Sequence, residues 1–259
     1  MISKLKEIYR YRHLIVTLVF RELAERYKRA AIGFLWALVE PLGFMIIYMV
    51  VFSFIVRLNI PDYPIFLLCG LLPWIYFSKS LTYCTESIMK DSNLVKKIYF
   101  PREILPISSV FARFINFIIS LLLLVIFLLF FRNLNPLSLV WLMMVILLQT
   151  LLSIGLALIF SSLNVYFQDV KLLIDFLVLI WFYASPVFYP LTMVPARIRG
   201  IYILNPTVGI ISSYQNILYF RNTIPLAREF YIATLISTIV FFCGMVIFKI
   251  LDRRIGELV

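Results

Sequence analysis

Six apolar stretches constrain the fold of this 259-residue chain more than any other feature of its sequence. A helix needs about 20 predominantly apolar residues to cross a lipid bilayer, and each stretch meets that length with only short polar breaks between them. They cover approximately residues 32–56, 64–85, 104–131, 137–165, 171–190 and 229–250. The sequence therefore predicts an all-α integral membrane protein with six transmembrane helices.

The composition agrees with this prediction, since 63% of the residues are hydrophobic and only 14% are charged. In soluble domains roughly a quarter of the residues are charged. The formal net charge of +11 would favour a nucleic acid partner in a soluble protein. Here the basic residues flank the apolar stretches, where they set topology and attract anionic lipids, so we expect membrane lipids as partners and no nucleic acid.

Lysine and arginine are unevenly distributed along this topology. The N-terminal tail, the loop between spans 2 and 3, the loop between spans 4 and 5 and the C-terminus together hold 16 of the 24 basic residues. Because the side richer in Lys and Arg remains in the cytoplasm, we expect both termini to face the cytoplasm.

The N-terminal segment, residues 1–31, interleaves basic residues with apolar ones at mostly three- and four-residue steps. This pattern is typical of an amphipathic helix that lies at the cytoplasmic membrane interface with its basic side chains toward phosphates. A basic flank that serves topology alone is the alternative.

The longest polar interruption, residues 86–106, combines four basic residues with an apolar run that ends at Pro101. A free linker would not need these apolar side chains, so the segment is predicted to form a short helix on the cytoplasmic side between spans 2 and 3. Leu94, Val95, Ile98, Tyr99 and Phe100 would form its apolar face, and Pro101 would end it. Its composition fits either an interfacial helix or a docking helix for a soluble partner.

The segment between spans 5 and 6, residues 191–226, has no apolar run long enough to cross a membrane. Pro195 can open one short helix, Asn205 and Pro206 interrupt it, and residues 208–220 can form a second. We predict two short re-entrant helices that dip into the outer leaflet, where protein or water must satisfy their backbone.

Few ionisable groups lie inside the spans, and Glu40 and Arg113 are the most informative of them. Both lie about two to three turns from the cytoplasmic ends of their helices. A charge at the centre of a membrane costs about 2.5–3.5 kcal/mol on insertion scales, so we predict that Glu40 and Arg113 form a buried ion pair. Lys79 can extend its long side chain to the interface, and Asp175 lies close enough to its helix end to face water.

Sequence motifs for intrinsic catalysis are absent. The chain has no glycine-rich phosphate loop followed by Lys-Ser or Lys-Thr, and His13 is its single histidine. Cys69, Cys84 and Cys243 lack the spacing of a metal site or a disulfide framework. We therefore predict no catalytic site, no metal site and no cofactor bound by this chain.

Three blocks carry a family resemblance that covers nearly the whole chain. They resemble the transmembrane (permease) subunits of bacterial polysaccharide exporters of the ABC-2 type, which export lipid-linked O-antigen, capsule or teichoic acid. The blocks are RELAERYKRAAIGFLWALVEP at residues 21–41, YPIFLLCGLLPWIYFSKSL and LVKKIYFPREILPISS within residues 63–109, and NVYFQDVKLLIDFLVLIWFYASPVFYPL, followed by an Asn-Pro pair, within residues 164–206. Gln168 stands where the family commonly has a basic residue.

The resemblance implies a single ABC-2 type transmembrane domain over residues 1–259, in a homodimer of six-span subunits in the bacterial cytoplasmic (inner) membrane. Two separate ATPase subunits would bind ATP and Mg²⁺. The N-terminal helix would lie at the cytoplasmic gate, and the two short helices would guard the exit. Coupling to the ATPase would involve Leu94, Lys96, Lys97, Ile98, Tyr99, Phe100 and Arg102.

Two further sets of residues follow from a substrate that is a lipid-linked sugar polymer. The basic residues expected at the phosphates of its lipid head group are Arg21, Arg26, Lys28 and Arg29. Aromatic rings can stack on sugar faces, and those predicted to line the exit half of the conduit are Tyr48, Phe52, Trp181, Tyr183, Phe188 and Tyr189. Helical spacing predicts that Tyr48 and Phe52 share one helix face, and that Trp181 and Phe188 share another. An interfacial belt that faces lipid is the alternative for these rings.

The leading hypothesis is therefore the channel-forming subunit of an ATP-driven exporter of lipid-linked polysaccharide, with O-antigen as the first candidate. An ABC-2 permease for teichoic acid, capsule, lipid or drug is the second hypothesis. A polytopic membrane enzyme or scaffold that transports nothing is the third.

Overall fold

The computed structural model describes residues 9–28, 33–56, 60–132 and 135–258, and every regular element in these ranges is helical. The helices are α1 (Arg12–Tyr27), α2 (Trp36–Met49, continued by a π-helical segment, Val50–Ile55), α3 (Tyr63–Lys90), α4 (Ser92–Lys97), α5 (Ile104–Arg132), α6 (Ser138–Tyr166), α7 (Val170–Tyr183), α8 (Ala196–Tyr202), α9 (Pro206–Tyr214, continued by a π-helical segment, Gln215–Tyr219) and α10 (Ala227–Leu258).

Five helical segments in the described part of the chain are long and apolar enough to cross a membrane. They are Trp36–Ser53, Tyr63–Lys90, Ile104–Phe131, Ser138–Tyr166 and Ala227–Arg253. These five correspond to the predicted spans 1 to 4 and 6.

The predicted span over residues 171–190 does not form one continuous helix. Helix α7 ends at Tyr183 and has 14 residues, so it is about 21 Å long at 1.5 Å per residue, which is shorter than a hydrocarbon core of about 30 Å. The physical reason lies in Pro186, because proline has no N–H to donate to a helix and disfavours the helical conformation in the residue before it.

Helix α3 is the central helix of the fold. Buried side chains occur all along it, from Tyr63 to Ile88, and it packs against α5, α6 and α9. Its interior proline, Pro73, has a carbonyl that accepts a hydrogen bond from Gln149 Nε2 of α6 at 2.7 Å. Helices α2 and α7, in contrast, leave most of their apolar side chains exposed.

Helix α7 and the segment after it run alongside α3 in the opposite direction. At one end Lys171 Nζ donates to the Thr82 carbonyl (3.3 Å), and at the other Tyr63 OH donates to the Phe188 carbonyl (3.0 Å). Residues 171–188 therefore extend along the same length of the bundle as residues 63–82 of α3, which is about 29 Å of helix.

Helix α1 and the C-terminal part of α10 lie at the same end of the bundle. Leu18 of α1 and Ile255 of α10 belong to one apolar cluster, together with Ile88 and Phe100. Helix α1 matches the helix predicted for residues 1–31 within the described residues, since residues 1–8 and 29–31 lie outside them. Its position at the membrane interface stays a prediction.

The two short helices expected between spans 5 and 6 are α8 and α9. Asn205 caps α9, because its Oδ1 accepts a hydrogen bond from Thr207 N at 3.1 Å. Every residue of α9 is buried, whereas α8 lies at the surface. Their location in the outer leaflet stays a prediction.

Close packing of α6 on α10 generates the first testable prediction. A Cβ at Gly155 would lie 2.7 Å from Phe241 Cα, and a Cβ at Gly244 would overlap the Gly155 carbonyl oxygen. We expect Gly155→Ala to lower the free energy of unfolding by about 1–3 kcal/mol because the overpacked helices must move apart.

Unfolding of the purified protein in detergent would measure this loss. Gly43→Ala on α2 is the matched control, since a Cβ there meets nothing within 4 Å. An equal loss of stability in both variants would contradict the close approach of α6 and α10.

Candidate functional site

A groove of about 330 Å³ opens between α2, α3 and α7. Aromatic rings from all three helices line it, namely Phe44, Tyr48, Trp74 and Phe182. Charged side chains line it as well, namely Glu40, Lys79 and Asp175. On each helix the charged residue lies one to two turns nearer the end that holds α1, so the groove has a charged part and an aromatic part.

Phe182 is at the centre of the aromatic part. Its ring centroid lies 5.5 Å from that of Tyr48, 5.4 Å from that of Trp74 and 5.7 Å from that of Phe188. Phe188 in turn stacks on Phe52, with centroids 4.5 Å apart. The cluster forms because Tyr48 and Phe52 are four residues apart on α2 and because the turn after α7 brings Phe188 back beside Phe182.

Two tyrosines extend this cluster. Tyr183 and Tyr189 contact the Phe188 ring with centroid distances of 6.0 Å and 4.9 Å. Tyr189 OH also shares a 2.8 Å hydrogen bond with Tyr202 OH on α8. The structure thus brings together five of the six predicted conduit residues, Tyr48, Phe52, Tyr183, Phe188 and Tyr189.

Trp181 is the exception, and its predicted place on the same face as Phe188 is wrong. Its Nε1 donates to Asn205 Oδ1 at 2.8 Å, and its ring contacts Phe77 of α3. The helix ends at Tyr183, so the seven-residue spacing to Phe188 is not a helical spacing. Trp181 therefore joins α7 to α3 and to the start of α9.

Phe182 and Trp74 are the residues that sequence reasoning missed. Both occur in aromatic runs, residues 181–183 and 74–77, but a run of rings does not indicate which one faces a groove. Phe44 had a clearer signal, since it precedes Tyr48 by four residues on α2 and its ring lies 6.3 Å away.

The predicted ion pair between Glu40 and Arg113 is wrong, although both residues line one cavity. Glu40 Oε2 instead accepts from Arg26 Nη2 at 3.2 Å and from Lys79 Nζ. Arg113 Nη2 donates to Glu22 Oε2 at 3.0 Å. The reason is that α1 packs against α5 and brings its own charged side chains into the bundle.

The environment of Glu22 shows how far α1 enters the bundle. Burial raises the pKa of the Glu22 carboxyl above its ordinary value, although the nearby Arg113 guanidinium opposes the shift. Glu25, on the exposed side of α1, accepts from Lys90 Nζ at 2.6 Å, and this hydrogen bond lowers its pKa. Helix α1 is therefore joined to α3 and α5 by ion pairs.

The four basic residues that were predicted to contact a lipid head group do not share one environment. Arg21 forms ion pairs with Asp91 and with Glu25, and Arg26 pairs with Glu40. Lys28 is exposed at the C-terminal end of α1. Arg29 lies outside the described residues.

The predicted coupling segment is only partly helical. Helix α4 ends at Lys97, and Ile98 already has an extended backbone (φ −132°, ψ 135°). The expectation that the helix continues to Pro101 is therefore wrong, and Ile98, Tyr99 and Phe100 do not share a helix face. Leu94 is half-buried, while Lys96 and Lys97 are exposed.

The apolar residues after α4 have opposite environments. Tyr99 is 87% exposed and Ile98 is also exposed, whereas Phe100 is 5% exposed and packs with Leu18 of α1. Phe100 is therefore part of the core and is not available to a partner, contrary to the prediction. Arg102 Nη1 contacts Asp252 Oδ1 of α10 at 3.2 Å.

Within the described ranges, no three His, Cys, Asp or Glu side chains are grouped closely enough to hold a metal ion. Asp175, at the charged part of the groove, accepts from Thr82 Oγ1 at 3.3 Å and lies 3.5 Å from Lys171 Nζ. The site is therefore a groove that is lined by aromatic side chains along one part and by paired charged side chains at one end.

Comparison with known proteins agrees with this architecture. The model of a family described as "ABC-2 type transporter" matches residues 13–219. The chain is 34% identical to a Myxococcus xanthus protein named "O-antigen export system permease protein RfbA", over 99% of both chains. A Klebsiella pneumoniae protein of the same name is 31% identical over 95% of this chain and 94% of its own. An Escherichia coli "Polysialic acid transport protein KpsM" is 27% identical over 76% of this chain and 78% of its own.

Glu40 pairs with both Arg26 and Lys79. Substitutions of Glu40 and Lys79 should therefore have non-additive effects on the free energy of unfolding. We expect Glu40→Gln to lower the free energy of unfolding by about 1–3 kcal/mol because Lys79 loses its carboxylate. The double variant Glu40→Gln/Lys79→Gln should lose less than the sum of the two single losses.

Unfolding of the purified variants measures these differences. The exposed pair Lys90 and Glu25 is the control, where removal of both charges should cost about 0–1 kcal/mol. Strict additivity at Glu40 and Lys79 would refute their coupling.

Proposed function

The chain belongs to the ABC-2 type transporter family, and we propose that it is the channel-forming transmembrane subunit of an ATP-driven exporter of lipid-linked polysaccharide. The full-length similarity to O-antigen export permeases favours O-antigen as the substrate. A capsular polysaccharide is the second candidate, which the more distant similarity to polysialic acid transport proteins supports. ATP hydrolysis belongs to a separate ATPase subunit, and this chain has no catalytic site of its own.

The groove between α2, α3 and α7 is the observation that carries this proposal. A chain of hydrated sugars cannot cross about 30 Å of hydrocarbon in contact with lipid. It needs a wall that holds it weakly and repeatedly, because one tight site would stall a moving polymer, as it would a conducted ion. Rings such as Tyr48 and Phe182 stack on sugar faces without fixed hydrogen bonds.

The charged part of the groove supports a homodimer. Glu40, Lys79 and Asp175 line a groove that opens on the face formed by α2 and α7. Ionisable groups within a membrane face a protein partner or water rather than lipid. A second copy therefore covers this face, and the two grooves together enclose the conduit.

A sixth crossing formed by α7 and the residues after it completes the topology. The contacts of Lys171 with Thr82 and of Phe188 with Tyr63 support it, because they join the two ends of this segment to residues 63–82 of α3, about 29 Å of that helix. Six crossings put both termini on one side of the membrane, and the lysine and arginine bias assigns that side to the cytoplasm. Helices α8 and α9 then re-enter the outer leaflet, and the burial of α9 supports that placement.

The cytoplasmic end carries the coupling and gating elements. Two ATPase subunits, which hold ATP and Mg²⁺, dock on the segment Leu94 to Arg102, where Ile98 and Tyr99 are exposed beside Lys96 and Lys97. Helix α1 lies at the membrane interface and forms the gate through which the lipid head group enters. Among the predicted head-group residues that the structure describes, Lys28 is exposed, whereas Arg21 and Arg26 form ion pairs.

Export measurements in cells test the proposed function. Deletion of the gene should leave a lipid-linked glycan inside the cytoplasm, and the wild-type gene should restore its export. Tyr48→Leu/Phe182→Leu preserves hydrophobicity, so we expect normal membrane levels with export slowed by about tenfold or more, a barrier change of about 1.4 kcal/mol.

Phe130→Leu is the matched control, since Phe130 is an exposed ring on α5 outside the groove. A deletion strain that retains no glycan would refute polysaccharide export. Normal export by the double variant would instead refute the groove as the path and leave the function standing.

The exposed residues after α4 generate a separate prediction on coupling. Ile98→Ala/Tyr99→Ala should leave insertion and stability intact but reduce export relative to ATP hydrolysis in the reconstituted complex, because the ATPase loses its apolar contact. Phe100→Ala should behave differently and cost about 3–5 kcal/mol of stability, as a buried Phe→Ala change does.

Tyr231→Ala, at an exposed ring of α10, is the control for loss of a surface aromatic. Export and ATPase activity are measured on the same preparations. Full transport by the Ile98 and Tyr99 double variant would exclude these side chains from docking.

A further inference from the structure

The carboxylates of the groove lie in line with its aromatic rings. On α2, Glu40, Phe44 and Tyr48 line the groove at four-residue steps. On α7, Asp175 lines it seven residues before Phe182, which is about two helical turns. Residues at these spacings share one helix face. A polymer that moves along the rings therefore also passes both carboxylates.

The groove lining holds two carboxylates, Glu40 and Asp175, and one cation, Lys79. Lys79 Nζ contacts Glu40 Oε2, which also accepts a hydrogen bond from Arg26 Nη2 at 3.2 Å. Among the residues that the structure describes, the groove wall therefore has no cation without a carboxylate partner.

The cations just outside this lining are paired as well. Lys171 Nζ lies 3.5 Å from Asp175 Oδ2 and 3.6 Å from Glu86 Oε2. Arg113 Nη2 donates to Glu22 Oε2 at 3.0 Å, and Arg113 does not line the groove. Each of these cations therefore already has a carboxylate partner.

The aromatic part of the groove favours the same kind of substrate. The face of an aromatic ring is the negative side of its quadrupole, so it attracts the C–H groups of a sugar and repels a carboxylate or a phosphate. Phe52, Phe188 and Tyr189, which extend the ring cluster beyond Tyr48 and Phe182, are uncharged as well. Pores for anions are instead lined by Arg or Lys.

A second copy of the chain would not reverse this balance. In the proposed homodimer the partner brings the same side chains to the path, so the carboxylates of both protomers face it. Walls of low dielectric constant strengthen the field of these charges relative to water. A polymer with an acidic group in each repeat unit would be repelled at every repeat, whereas the phosphates of a lipid carrier occur once per molecule.

We propose that the groove selects polysaccharides whose repeat units carry no acidic group, and that Asp175 is a determinant of this selectivity. The inference rests on the proposed function and names the charge class of the exported polymer. Asp175 is the better placed carboxylate, because its side chain is 45% exposed, whereas Glu40 is shared by Arg26 and Lys79.

The glycan that a deletion strain retains gives the first test. After release from its lipid carrier, we expect this glycan to pass through an anion-exchange column at neutral pH and to contain no uronic acid, sialic acid or phosphate. An acidic repeat unit would overturn the selectivity and leave polysaccharide export standing. A strain that retains no glycan would refute the proposed function itself, and this inference with it.

Export of two polymers tests the role of Asp175. The chain and its ATPase are expressed in two strains that lack other exporters, one with the retained glycan and one with an acidic polysaccharide on the same lipid carrier. We expect the wild type to export the acidic polymer at least about tenfold more slowly, which is the effect of one charge roughly 10 Å away at an effective dielectric constant of about 20. Asp175→Asn should raise the ratio of acidic to neutral export by about the same factor, because it removes a carboxylate from the wall and leaves Lys171 with one carboxylate fewer.

Two control variants separate this effect from a general loss of charge. Asp169→Asn removes a carboxylate from an exposed position directly before α7 and outside the groove lining, and it should leave the ratio unchanged. Asp175→Glu keeps the charge and should keep the ratio of the wild type. The ratio does not depend on the amount of protein in the membrane, so a less stable variant still reports on selectivity. A ratio that is equal in Asp175→Asn and wild type, or an equal rise in Asp169→Asn, would overturn the assignment of selectivity to Asp175.

Discussion

The absence of hydrogen-bonding solvent in a membrane governs this structure, because every backbone polar group at membrane depth must find a partner in the protein. Helices meet this requirement on their own, but the segment after α7 does not. Its carbonyl groups are satisfied by side chains: Asn205 Nδ2 donates to Ala184 at 2.9 Å, and the buried Gln215 Nε2 and Tyr63 OH donate to Pro186 at 2.7 Å and to Phe188 at 3.0 Å. Helices α3 and α9 therefore make a short α7 possible, and the position of Phe188 beside Phe182 depends on them.

The same requirement applies to charge. A lone buried charge is strongly destabilising, and the chain places its charged residues so that α1 supplies the partners. Glu22 and Arg26 of α1 pair with Arg113 and Glu40, and Asp91 beside α4 pairs with Arg21. These contacts connect the N-terminal helix to the start of α4 as well as to the spans.

The segment Leu94 to Arg102 is joined to two other helices, α1 and α10. Phe100 packs on Leu18 of α1, Arg102 contacts Asp252 of α10, and Asp91 directly precedes α4. A partner that binds the exposed Tyr99 and shifts this segment therefore acts on α1 and α10 through direct contacts. The members of one short apolar run thus have opposite environments, since Tyr99 is exposed and Phe100 packs in the core.

The sequence by itself determined the helical class, five of the spans and the helical pair between α7 and α10, because burial in hydrocarbon requires long apolar runs and proline interrupts them. It also identified Tyr48 and Phe52 as one face of α2, because helical spacing is local. The partners of Glu40 and Arg113 were decided by tertiary structure, since α1 approaches α5 from a distant part of the chain. The contacts of Trp181, Phe182 and Phe100 were also decided by tertiary structure, because they depend on where α7 and α4 end. Local periodicity determines which residues share a helix face, whereas only packing between helices determines what that face contacts.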